Sequence, residues 1–300
     1  MTDFWKNGKV SVNGVIVEPE DARISVFDRG FLFGESIFET LRVYRGAPFA
    51  FEEHLTRFFR SGEKISLGLS WGAERIRADC QAVLKEAGLE EAYMRIIATQ
   101  GSGPIGLAPS EVEEPQLIVI VLPLPSLPRD LYEQGRSAVT VSVLRNLKLA
   151  IDPGAKTGNY MNSVQAAREA RRRGADEAIM LNFEGNVAEG SSANVFGLID
   201  GVWCTPSLEV GILSGITRKV LLRLCERNDI PVQEGLLRPE DLARAEEIFL
   251  CSSVRELVPI VSLDEGLVGS GRVGEHYGAL SSLYQEERER YCQTQAEAWG

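Results

Sequence analysis

Three prolines in eight residues, PLPSLPRD (123–130), constrain this chain more than any other stretch. Proline has no backbone N–H to donate and fixes φ, so neither a helix interior nor a central strand can run through the segment. The chain must fold on either side of it, and the polar residues around the prolines suit an exposed connection. The expected division is a small unit over 1–122, a linker over 123–133 and a larger unit over 134–300. With 300 residues, 44% of them hydrophobic, there is material for a core on each side.

Both sides read as mixtures of helix and strand, which makes the fold class α+β. KVSVNGVIV (9–17) alternates about Asn13-Gly14, a hairpin signal, and Arg45-Gly46 marks a second turn. Residues 52–67 and 71–88 read as helices, the second closed by Gly88, and 92–101 and 115–124 as strands. Beyond the prolines, 135–144 and 175–182 read as strands and 185–206 as turn-rich β-structure. Helices are expected over 162–174, over 214–228 with Ser214 as N-cap, in a short piece from 238 feeding a strand, and at the C-terminal end.

Composition narrows the chemistry. A net charge of −11 gives nucleic acid or an anionic membrane no basic footprint. No apolar run reaches the 18 or so residues of a membrane span, and MTDFWKNGKV lacks an apolar signal core, so the expected location is cytoplasmic. Five widely spaced cysteines without a C-x-x-C pattern suit reduced thiols. Histidines occur only at 54 and 276, too few for a multi-histidine metal site. Catalysis is left to lysine, carboxylates or a cofactor.

Three features beyond the prolines look chemically arranged. Lys156, one of seven lysines, lies in PGAKTGNY (153–160) between glycines that allow close backbone approach. Placed before a helix start it would favour a neutral, nucleophilic amine. SGITRK (214–219) opens a helix with a Ser-Gly pair, and a helix N-terminus offers N–H groups to a phosphate. Glu189 follows alternating apolar residues at a Gly-Ser-Ser turn. Taken singly, each has an ordinary alternative: a surface lysine, a helix start that binds nothing, an exposed strand-end carboxylate. Together they supply an amine for a Schiff base, a phosphate cradle and a partner for a protonated ring nitrogen, the needs of pyridoxal phosphate.

Motifs along most of the chain strengthen this: DARISVFDRGFLFGESIFETLRVYRG (21–46), FEEHLTRF (51–58), AKTGNYMNSVQAAREA (155–170), EAIMLNFEGNVAEGSSANVF (177–196), GILSGITRKVL (211–221) and EEIFLCSSVRELVPI (246–260). In these motifs the chain resembles the class IV aminotransferases, the fold-type IV pyridoxal-phosphate family, and among them the branched-chain amino acid aminotransferases. The resemblance implies a small N-terminal α/β domain, a larger pseudo-barrel α/β domain, a cofactor between them, and a homodimer or higher homo-oligomer. It implies Lys156 as the catalytic Schiff-base lysine and Glu189 as partner of the pyridine nitrogen. It implies Arg57, Ile216, Thr217 and Ser253 as phosphate ligands, Tyr160 beside the cofactor's phenolic oxygen, and a structural His54. No metal enters.

For substrate, the resemblance implies L-branched-chain amino acids and 2-oxoglutarate as small-molecule partners. Phe33, Phe38, Tyr93 and Val254 would line the pocket, with Arg95 of the Tyr93-Met94-Arg95 pattern receiving a distal carboxylate. Several positions depart from the branched-chain pattern: Phe33 stands where tyrosine is usual, Ile96 where proline is, and Ser252-Ser253-Val254 where Gly-Thr-Ala is. Arg255 is a feature of lyase-like and D-specific branches. The Arg-x-His pair of D-amino-acid enzymes has no counterpart in Thr99–Gly106. D-amino-acid transamination, (R)-amine transamination and aminodeoxychorismate lysis stand as the alternatives.

Overall fold

The computed structural model describes residues 4–107 and 115–299. They divide into two compact units. The first holds the described residues up to Ser126, the short segment Ala155–Asn159 and the end of the chain from Arg288; the second holds Leu127–Gly154 and Tyr160–Glu287.

In the first unit the expected hairpin forms from β1 (Lys9–Val12) and β2 (Val15–Val17). A one-turn helix, α1 (Arg29–Phe33), precedes β3 (Ser36–Tyr44), which turns back at Arg45-Gly46 into β4 (Ala47–Pro48). Two helices follow, α2 (Phe51–Lys64) and α3 (Ala73–Ala87), then β5 (Ala92–Thr99) and β6 (Gln116–Pro123). All six strands pair antiparallel in the order β2-β1-β6-β5-β3-β4.

Strand alternation decides what each face does. Ile37, Leu41, Met94, Ile96 and Val119 point one way and are buried with Phe51, Leu55 and Phe58 of α2 and Ile76 and Val83 of α3. In α2 those apolar residues recur at helical spacing, with Glu52 and Glu53 in the first turn and Lys64 in the last, as the helix dipole favours. The other face carries Phe38, Thr40 and Arg42, opposite Ile97, Arg95 and Tyr93.

The second unit begins with the short helix α4 (Asp130–Glu133), then β7 (Arg136–Thr140), α5 (Met161–Arg172) and β8 (Glu177–Leu181). The turn-rich region resolves into β9 (Val187–Gly190), β10 (Asn194–Ile199) and β11 (Val202–Pro206). Then come α6 (Ile216–Arg227), β12 (Val232–Gly235), α7 (Pro239–Ala243), β13 (Glu247–Ser252), β14 (Glu256–Leu263), β15 (Gly266–Leu267) and α8 (Glu275–Trp299). The order is β12-β11-β10-β13-β14-β7-β8-β9, with β15 on β14 and parallel pairing at β11–β12, β14–β7 and β7–β8. Strand β9 ends that order, yet only three residues separate it from β10, and the turn is closed by Gly190 N–H donating to the Ala193 carbonyl at 2.7 Å. The sheet must curl to let its last strand meet its third, a pseudo-barrel closure.

One sequence expectation is corrected. Helix α6 begins at Ile216, and its N-cap is Gly215 rather than Ser214. Asn194 crowds Gly215 so closely that a Cβ there would overlap its amide oxygen, so only glycine fits the cap. Helix α8 is shared: its residues up to Glu287 belong to the second unit and those from Arg288 to the first. There Trp299 packs edge-on against Phe51, ring centroids 4.7 Å apart.

Candidate active site

In the first unit the lysine segment is strapped to β3. Phe38 N–H donates to the Lys156 carbonyl at 3.0 Å, Gly158 N–H donates to the Ser36 carbonyl at 2.8 Å, and Ile37 and Thr157 form an antiparallel bridge. A Cβ at Gly158 would overlap the Ser36 hydroxyl, which would have to turn away to admit it. Lys156 precedes α5 by five residues, the helix starting at Met161. It is held by a strand edge. Its Nζ lies 4.4 Å from the centre of the Phe38 ring, and the Arg95 guanidinium carbon lies 3.8 Å from the same ring. Register explains the grouping: Arg95 sits opposite Thr40, two residues from Phe38 on the same face. Arg95 Nη1 donates to the Tyr93 hydroxyl at 3.4 Å. Phe33 stacks against Arg29 at 4.8 Å instead and is a third exposed.

Arg57 lies behind this strand, on α2. Its Nε and Nη2 donate to Glu39 Oε1 and Oε2 at 2.7 and 2.6 Å, a bidentate pair, and His54 Nδ1 bonds Glu39 Oε2 at 2.7 Å. Glu39 has no exposed surface, and His54 is also buried. Burial alone would push the Glu39 carboxyl up; the Arg57 guanidinium and the His54 ring overcome that and hold it down at about 2. For His54, burial outweighs the attraction of Glu39 and lowers the imidazole below its ordinary range. Ser61 joins arginine to lysine: its hydroxyl donates to the Arg57 carbonyl at 2.9 Å and accepts from Lys156 N–H at 3.1 Å.

In the second unit Glu189 is the penultimate residue of β9, 5% exposed, inside a cage of donors. Arg145 Nε donates to its Oε1 at 2.7 Å, and Asn194 Nδ2 and Leu213 N–H donate to its Oε2, both at 3.1 Å. Arg145 Nη1 also reaches Asn162 Oδ1 on α5 at 3.3 Å. Ile216 and Thr217, both buried, form the first turn of α6, where no side chain caps the backbone and no acid is present. Arg218, beside them, anchors that turn through the Pro206 carbonyl at 2.7 Å and Glu234 at 2.5 Å. Ser253 and Val254 lie half-buried in the turn between β13 and β14, and Tyr160 is the N-cap of α5.

These sets suit pyridoxal phosphate. A twelve-residue helix opening without a capping side chain or an acid can receive a dianion. A caged carboxylate can face a protonated pyridine nitrogen, and a half-buried lysine can bond an aldehyde. Sequence reasoning does not find Glu39, Arg145 or Asn194, which bond the expected residues Arg57 and Glu189. A charged residue at an inward position of β3 is the one sign that Glu39 leaves in the sequence.

The comparisons with known proteins agree with this chemistry. Residues 36–263 match the family model for amino-transferase class IV. The putative branched-chain-amino-acid aminotransferase of Methanocaldococcus jannaschii is 35% identical over 283 residues, covering 94% of this chain and 97% of the relative. A D-alanine aminotransferase of Staphylococcus haemolyticus is also 35% identical, over 266 residues, covering 89% and 93%. Among solved structures, the T.th. branched-chain amino acid aminotransferase complexed with N-(5'-phosphopyridoxyl)-L-glutamate superposes with a TM-score of 0.89 at 30% identity, covering 95% of this chain and 97% of that one. Fold and site thus define a fold-type IV pyridoxal-phosphate enzyme. The chain belongs to the class IV aminotransferases, and pyridoxal 5'-phosphate is its cofactor.

Proposed function

We propose that this aminotransferase moves the amino group of L-leucine, L-isoleucine or L-valine to 2-oxoglutarate. The observation that carries the reading is the grouping of Arg95, Tyr93 and the Lys156 amine about Phe38: a fixed cation for a dicarboxylate beside the reacting amine, on an apolar ring. The segment Thr99–Gly106 offers neither arginine nor histidine to a carboxylate, which weighs against the D-alanine activity named for the staphylococcal relative.

In this reading the Lys156 Nζ would hold the cofactor covalently and, once freed by substrate, would act as the base that takes and returns the Cα proton. When bound, pyridoxal phosphate supplies an electron sink for the Cα carbanion. Glu189, kept in place by Arg145 and Asn194, would pair with the ring nitrogen. Arg57, the N–H groups of Ile216 and Thr217, the Thr217 hydroxyl and Ser253 would be the phosphate's ligands. The Tyr160 hydroxyl would bond the phenolic oxygen. Phe33, Phe38, Tyr93 and Val254 receive the side chain, and Arg95 the distal carboxylate of glutamate.

The enzyme acts on small molecules, and among the described residues no helix is long and apolar enough to cross a membrane. We further read it as a cytoplasmic homodimer or larger homo-oligomer. Its five free thiols support the compartment. The exposure of Phe27, Phe31, Ile105 and Leu107 on the first unit supports a second copy covering them.

The test is a panel of single amino donors added to the yellow holoenzyme, with the loss of its visible band followed in time. L-Leucine and L-glutamate are expected to bleach it quickly and D-alanine slowly. Fast bleaching by D-alanine or (R)-1-phenylethylamine, with none by L-leucine, overturns the substrate assignment.

A further inference from the structure

Arg255 is the last residue of the turn that carries Ser253 and Val254, where an arginine could have faced the substrate. The structure gives it another task. Strands β13 and β14 are joined by Ser253-Val254-Arg255, with Ser252 paired to Glu256 across the turn. Glu256 holds φ at +56°, a left-handed conformation that costs a residue with a Cβ roughly 1 kcal/mol or more, so local preference alone does not select this turn.

Two contacts hold it from outside. Both terminal nitrogens of Arg255 donate to the Glu177 carboxylate, Nη1 to Oε1 and Nη2 to Oε2, the latter at 3.2 Å. The Tyr132 hydroxyl donates to the Arg255 carbonyl at 3.2 Å. Glu177 opens β8, and because β7 lies between β8 and β14, the arginine reaches over one strand to find its acid. The Glu177 side chain is 9% exposed and that of Arg255 26%, so the pair is partly shielded from water. A bidentate guanidinium–carboxylate pair fixes direction as well as distance. With both terminal nitrogens committed to Glu177, the guanidinium serves as a strut.

We propose that Arg255 is a positioning residue: its pair with Glu177 holds the Ser252–Glu256 turn so that Ser253 meets the cofactor's phosphate. This rests on the assignment of Ser253 under the proposed function. The role predicts an effect on phosphate recognition in particular, because a hydroxyl displaced by about an ångström loses a charge-assisted hydrogen bond.

The apoenzymes of the parent, Arg255→Met, Arg255→Lys and Glu177→Gln are titrated with pyridoxal phosphate and with pyridoxal, which lacks the phosphate. Tryptophan fluorescence reports binding, and melting of each apoenzyme reports the fold. Arg255→Met and Glu177→Gln are expected to raise the Kd for pyridoxal phosphate on the order of tenfold and that for pyridoxal by less than about twofold, with Arg255→Lys between. The exchange Arg255→Glu with Glu177→Arg is expected to recover part of the loss. Equal losses for both ligands, or an unchanged Kd for pyridoxal phosphate, overturn the proposal. If Arg255→Met does not fold, Glu177→Gln, which keeps the side-chain shape, decides on the same criteria. If the parent itself binds pyridoxal as tightly as pyridoxal phosphate, the phosphate assignment of Ser253 falls, and the strut with it.

Discussion

Two buried carboxylates, each paired with an arginine, divide their labour in opposite ways. In the first unit Glu39 is the support and Arg57 the residue assigned to the cofactor. Glu39 has no exposed surface and is enclosed by a bidentate arginine and a histidine. In the second unit Glu189 is the residue assigned to the cofactor and Arg145 the support, joined by two neutral donors, Asn194 and the Leu213 N–H. In the proposed site the same ion pair would aim a cation in one place and an anion in the other. Which member is the working end depends on what the rest of the chain packs around the pair.

The comparison breaks most sharply at Glu189. Glu189→Gln is expected to lower kcat by roughly 10²–10⁴-fold, since an amide cannot hold a protonated ring nitrogen, while Arg145→Met, acting through Glu189, costs about tenfold. Steady-state rates on the cofactor-loaded proteins check this. An Arg145 variant as impaired as the Glu189 variant would make the arginine a direct participant.

At the other pair, Glu39→Gln is expected to lower stability by about 3–5 kcal/mol, because the buried Arg57 would lose its counter-charge and His54 a carboxylate partner. Removing Arg57 in the same chain should cost less than the sum of the single losses, measured by denaturant unfolding.

The smallest effect is in the pH dependence. The His54 imidazole is lowered from 6.5, so below that pH the unfolded chain binds a proton that the folded one refuses, and stability falls as pH falls. Glu39, lowered from 4.5 to about 2, adds a second loss in the same direction between those values. Melting temperatures against pH should show both declines, and His54→Asn should remove the first. Stability that rises on acidification from pH 7 to 5 contradicts the arrangement.

Much of the scaffold is legible from residue order. The Asn13-Gly14 hairpin, the strands at 92–99 and 116–123 and the helices α2, α3 and α5 follow from alternation, helical spacing and turn residues, all local properties. The short α1 is not legible, because five residues carry too little periodicity to stand out in an aromatic-rich run. The N-cap of α6 misleads because serine is the better cap by itself, while Asn194, on a strand well before it, leaves room only for glycine. The site is legible as a set of motifs: Lys156, Glu189, Arg57 and Thr217 each say little alone.

What the chain determined by itself is therefore the α+β alternation, the family and the chemistry its motifs require, since these rest on local pattern and residue type. Only the tertiary structure decided that Lys156 is strapped to the edge of β3, that Phe38 brings Arg95 to it, that Glu39 and Arg145 hold the residues they serve, and that Arg255 braces a turn. Each of these depends on pairings between residues far apart in sequence. Their partners are chosen by strand register and by the burial of charge, and a charge taken out of water must find its counter-charge wherever the fold has put it.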